Sequence, residues 1–115
     1  VHEGPQRIAK TGVTPLEPGM MLSNEPGFYK AGQWGIRIEN LILVEKRDIP
    51  GAEREMYGFE TLSFAPIDLN LVEPALLTTE ERAWLNAYHA KTRAIVGPLV
   101  DAETMKWLEK ATREV

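Results

Sequence analysis

The sequence contains no cysteine, which excludes disulfides and thiolate chemistry. It has no long apolar run: the longest is Leu41-Ile42-Leu43-Val44, far too short to span a membrane. No signal-peptide pattern, internal repeat or low-complexity tract is visible. Positive charge is not in excess either. The formal net charge of −4 leaves no electrostatic footprint for nucleic acid. What remains is 115 residues with 43% apolar side chains, enough for a modest core and one domain's worth of chain. The acidity is uneven. Residues 1–77 hold 11 acids against 7 bases, whereas residues 78–115 hold 6 of each. The chain opens on Val1 with dense sequence at once, so it is expected to be cut from a longer protein.

The pattern changes character near Pro66. Before it, "GMMLSNEP", "WGIRIENLILVEK" and "YGFETLSFAP" are β-rich runs bounded by Gly and Pro, with "LEPG" and "KRDIPGAERE" as turn and loop. After it, helical signals take over. Thr78 and Glu81 have capping-box spacing. Trp84, Tyr88, Ile95 and Leu99 recur at helical spacing as the expected inner stripe, with Leu85 and Val96 beside them. Gly97-Pro98 ends or kinks this helix. Asp101 can cap a second one, with Met105, Leu108 and Ala111 or Thr112 facing inward. Trp107 lies off that stripe, and an aromatic at the edge of a packed face suits a protein interface. The expected class is therefore α+β: an antiparallel sheet over residues 1–66 and a helical extension over 67–115.

The stretch "SNEPGFYKAGQWGIRIEN" (23–40) carries the chemistry. Ala31-Gly32-Gln33 suits a three-residue turn in which one position needs positive φ. Lys30 then pairs with Trp34, and every paired position sums to 64. Tyr29 falls opposite Gly35, diagonal to Arg37, and Glu25 falls opposite Glu39. Alternation puts Glu25, Tyr29, Arg37 and Glu39 on one face and Ile36, Ile38, Asn40 and Ile42 on the other. Directly opposed like charges destabilise a strand pair unless a proton or cation sits between them. A solvated face, or a one-residue shift from a bulge at Pro26-Gly27, would relieve the conflict. Leu22, Leu41 and Leu43 flank the acids, however, and Arg37 can brace one of them. A buried ion cluster and a site for a hard divalent cation are equally compatible with the spacing. His2 lies in the Gly-Pro-flanked "VHEGP", while His89 lacks suitable acidic neighbours and reads as structural.

"VHEGP", "EPGMMLSNEPGFY" and "GIRIENLILV" together resemble the C-terminal half of the catalytic domain of Xaa-Pro aminopeptidase (aminopeptidase P), a pita-bread-fold metallopeptidase. "FETLSFAPIDLNLV", "WLNAYH" and the later "WLE" resemble the C-terminal extension of the three-domain, cytosolic-type members. The resemblance implies two divalent metal ions, usually manganese, with Glu25 binding one and Glu39 bridging both. It implies catalytic roles for His2, toward substrate and transition state, and for Arg37 and Tyr29, which would orient the bridging glutamate. The implied reaction is attack of a metal-bridging hydroxide on an Xaa-Pro bond. The implied partners are Xaa-Pro peptides, the upstream part of the same polypeptide and a second copy in a homodimer, with no nucleic acid or membrane, in the cytoplasm.

The family's two metal-binding Asp and its metal-binding His fall upstream of "VHEGP", and Asp48, Asp68 and Asp101 are not placed to replace them. The chain alone is expected to be inactive. Two other readings stand beside this one: a pita-bread domain that binds a protein partner without catalysis, and a prolidase- or creatinase-like hydrolase.

Overall fold

The structure is a computed structural model that describes residues 4–115. The chain divides into two compact units, the first ending at Ser63 and the second running Phe64–Val115.

The first unit is antiparallel throughout. Strands β1 (Met21–Asn24), β4 (Asn40–Arg47) and β5 (Met56–Thr61) form a sheet in the order β1-β4-β5, and β2 (Gly27–Lys30) with β3 (Trp34–Arg37) forms a two-stranded ribbon. Gly32 takes φ +71°, the conformation the turn requires. The register follows from it: Lys30 opposes Trp34, Tyr29 opposes Gly35, and Gly27 opposes Arg37. The β1–β4 ladder keeps the same register, with Asn24 opposite Asn40 and Leu22 opposite Ile42. No bulge shifts the pairing between them. The ladder is interrupted only at Glu25-Pro26, where proline has no N–H to donate; the Ile38 N–H still donates to the Pro26 carbonyl at 3.2 Å.

This unbroken register sorts the two faces. Leu22, Ile42 and Val44 form the buried cluster, covered by Leu16 and Met20. Leu22 therefore belongs to the core face, not to the surroundings of Glu25 as its sequence neighbourhood suggests, because strand side chains alternate. The third strand stops at Thr61 rather than reaching Pro66. Beyond it the Leu62 N–H still donates to the Leu41 carbonyl at 2.8 Å.

The second unit holds α1 (Thr79–Val96), a 3₁₀ turn at Gly97–Leu99 and α2 (Ala102–Ala111). The capping box is complete: the Glu81 N–H donates to Thr78 Oγ1 at 3.2 Å and the Thr78 N–H donates to Glu81 Oε2 at 2.9 Å. Asp101 caps α2 by accepting from the Thr104 N–H at 2.7 Å. That bond stabilises the charged carboxylate and pulls the Asp101 pKa down. Leu108 and Thr112 are buried and Met105 half-buried, as the α2 stripe predicts.

The inner face of α1 differs from the sequence expectation. Its buried residues are Leu85, Tyr88, His89 and Thr92, whereas Trp84, Ile95 and Leu99 are exposed. The helix is turned by about one residue from its most apolar line. Polar residues occupy the inside because each finds a partner there. Thr92 Oγ1 donates to the Tyr88 carbonyl at 2.9 Å, and His89 Nε2 accepts from the Ile67 N–H at 3.0 Å. His89 is structural, as its sequence setting indicates. Trp84 still stacks on Tyr88, with ring centroids 5.3 Å apart. Arg93 ties the helices by donating to the Thr112 carbonyl and hydroxyl at 3.1 and 3.0 Å. Among the described residues no helix is long and apolar enough to cross a membrane.

Candidate metal centre

The site lies where the two ladders meet. Met20 opposite Val44 and Pro26 opposite Ile38 are hydrogen-bonded positions, since the Val44 N–H donates to Met20 and the Ile38 N–H to Pro26. Hydrogen-bonded and non-hydrogen-bonded pairs alternate along an antiparallel ladder. Glu25 and Glu39, in the same register, therefore occupy a non-hydrogen-bonded position, where opposed side chains come closest.

A guanidinium sits between the two carboxylates. Arg37 Nη1 lies 3.6 Å from Glu25 Oε2, and Arg37 Nε lies 3.2 Å from Glu39 Oε2. The sequence suggests a brace for one acid; Arg37 serves both. Ser23, which sequence reasoning passed over, donates its hydroxyl to Glu25 Oε1 at 3.0 Å. Its signal was available: it stands two residues before Glu25 on the same strand face. The side chains of Glu25, Glu39 and Arg37 are 29%, 39% and 51% exposed. The cluster is thus neither a dry ion pair nor fully solvated. Exposed pairs of this kind contribute at most about 1 kcal/mol each, so fold stability does not account for two acids and a base converging here.

Tyr29 shares this face but lies flat along the hairpin. A Cβ on Gly27 would meet the Tyr29 hydroxyl oxygen at 2.6 Å, and one on Gly35 would meet its ring at the same distance. The two glycines make the bed on which the ring rests. No hydrogen bond among the described residues joins Tyr29 to Arg37 or to either acid. His2 lies outside the described residues.

The donor set is suited to a hard cation. Two carboxylates from the facing breaks between β1 and β2 and between β3 and β4 already share a cationic group, and their oxygens match the preference of divalent ions such as Mg²⁺ or Mn²⁺. Among the described residues no group of three or more His, Cys, Asp or Glu converges, so Glu25 and Glu39 by themselves do not make a complete set of ligands.

Paired carboxylates on an antiparallel scaffold, followed along the chain by a helical unit, fit the C-terminal region of a metallopeptidase. The chain belongs to metallopeptidase family M24. Residues 55–115 match the C-terminal region of peptidase M24, and residues 1–46 match metallopeptidase family M24 itself. Aminopeptidase P2 of Arabidopsis thaliana is 44% identical over 118 residues, covering 98% of this chain and 17% of that protein. Aminopeptidase P1 of Lotus japonicus is 40% identical over 119 residues, covering 100% and 18%. The crystal structure of the X-prolyl aminopeptidase of Caenorhabditis elegans, described as a cytosolic enzyme with a di-nuclear active site, matches with a TM-score of 0.78 and 33% identity. The match covers 87% of this chain and 17% of that one. The chain spans about a fifth of the length of these relatives. Its α+β fold is that of the C-terminal part of the pita-bread catalytic domain followed by a helical extension.

Proposed function

We propose that this chain forms part of a dinuclear metal aminopeptidase that removes the residue preceding an N-terminal proline. One observation carries the reading: Glu25 and Glu39 face each other in register on one half-exposed face with Arg37 between them. Aminopeptidase P relatives that align with nearly the whole chain support it. Glu25 would help to hold one ion and Glu39 would contribute to holding both; the carboxylate donors suit a hard divalent cation, and manganese is the choice that the family resemblance favours. When bound, the ions activate water and polarise the scissile carbonyl. This chain's own contribution is placement. Ser23 fixes one oxygen of Glu25 and Arg37 fixes the other, while Arg37 also holds Glu39. Tyr29 lines the same face, and His2 acts toward the substrate without holding metal. The complete protein acts in the cytoplasm.

The reading predicts that a protein of these 115 residues alone turns over no substrate, because two carboxylates cannot hold a dinuclear centre. Release of the first residue from an Xaa-Pro-Yaa peptide with added Mn²⁺ is the measurement. Turnover by a preparation free of longer enzyme would overturn the ligand assignment. A non-catalytic partner-binding role is distinguished by the complete protein, which should turn over the same peptide. A prolidase-like enzyme would instead prefer the dipeptide.

We further propose that the complete protein is a homodimer to which the helical extension contributes. Trp107, 59% exposed on α2, supports this, since a large aromatic left in water next to a buried Leu108 suits a protein interface. Trp107→Glu is expected to shift the complete protein toward monomer in sedimentation velocity while leaving the helices folded. An unchanged dimer would remove the extension from the interface.

A further inference from the structure

The second unit begins with an extended segment held onto α1 by two consecutive helix residues. The Tyr88 hydroxyl accepts from the Ala65 N–H at 3.2 Å and donates to the Ala65 carbonyl at 3.0 Å. His89 Nε2 accepts from the Ile67 N–H at 3.0 Å. We propose that His89 is a pH-sensitive latch: its neutral imidazole fastens the segment around Ile67 to α1, and protonation releases it.

The geometry fixes the sign. An acceptor at Nε2 requires the neutral ring, with the proton on Nδ1. Protonating Nε2 sets two donors, Nε2–H and the Ile67 N–H, against each other. His89 is fully buried at 0% exposure, so the cation would lose its hydration. The charged groups that act on the ring are both positive: Arg93, one turn along α1, and Arg113, just beyond α2. Burial is the largest influence and holds the His89 pKa below the usual histidine value; the Arg113 backbone and, least of the influences, the Ile67 backbone act the other way, although the Ile67 N–H donates to Nε2 and so favours the neutral ring. The nearest acid on the latched segment, Asp68, is engaged by the Asn70 N–H at 2.9 Å. Among the described residues no carboxylate is among the groups that act on His89.

A histidine whose pKa is lowered by folding stabilises the folded form fully above its unfolded value, about 6.5. That contribution is lost as pH falls from there toward the folded value. The latch is therefore closed near neutrality and opens in acid.

Amide hydrogen exchange on the complete protein, corrected for the intrinsic pH dependence of exchange, tests this in the peptide spanning 64–69. Its protection is expected to fall by up to about tenfold per pH unit below about pH 6.5, the limit for a single proton. In His89→Gln, whose amide can accept from Ile67 without titrating, the same peptide should keep a flat profile. A wild-type profile that is flat to pH 5, or a fall equally steep in His89→Gln, would overturn the proposal. Should His89→Gln not fold, the exchange rate of the His89 ring Cε1–H against pH in the wild type decides alone. A midpoint below the usual histidine value supports the latch, and one at or above it rules the latch out.

Discussion

Glu39→Gln in the complete protein is expected to abolish aminopeptidase activity and to lower bound metal below two equivalents, with the fold unchanged. Glutamine keeps the shape of the side chain and its place in β3–β4, so nothing in the register or the core responds. What it removes is one negative charge from the pair that Arg37 joins. On the proposed reading, Glu39 would help to hold both ions, and glutamine would supply no negative charge to do so. Residues that merely orient a metal ligand typically cost about 10–100-fold when lost, so loss of the ligand proposed here to hold both ions should exceed a hundredfold in kcat/KM. Metal analysis beside turnover makes the check. Two full equivalents of metal with normal turnover would remove Glu39 from the centre and leave the Glu25–Arg37–Glu39 cluster a surface ion network.

Much of this site is legible before any coordinates because one turn residue determines it. Gly32 pins the hairpin, the register then runs unbroken from Lys30–Trp34 to Met21–Leu43, and the opposition of Glu25 and Glu39 is arithmetic. Pro26 interrupts hydrogen bonding without adding a residue, so the register survives it. Two features were harder to read. Arg37 reaches both acids because a long side chain can span a directly opposed pair, which residue spacing does not reveal. The inward face of α1 is not legible in hydrophobic periodicity, which counts apolar residues only. His89 and Thr92 are inside because Ile67 and Tyr88 supply partners, and a pattern of apolar positions carries no trace of that. Trp84, the strongest apolar signal in the helix, stands on the outside and contributes by stacking on Tyr88.

The position most sensitive to substitution in the second unit is expected to be Leu108, not either of its tryptophans. Leu108 is 1% exposed and is the largest of the fully buried side chains. It sits between Met105 and Thr112 on the buried stripe of α2. Leu108→Ala removes that volume from a site with little freedom to collapse, because Arg93 holds the end of α2 through Thr112. The cost of such truncations is about 3–5 kcal/mol. A unit of 52 residues has a stability of only about 3–8 kcal/mol, so one truncation consumes most of it. Leu108→Met, which conserves volume, should cost less than about 1.5 kcal/mol. Hydrogen exchange across 79–111 in the complete protein reports the difference, with protection lost in Leu108→Ala and largely kept in Leu108→Met. Trp107→Ala, one residue away but exposed, should leave that protection close to wild type once the oligomeric state is held equal. Equal losses for Trp107→Ala and Leu108→Ala would mean that α2 is held by contacts on its outer face as much as by the buried stripe.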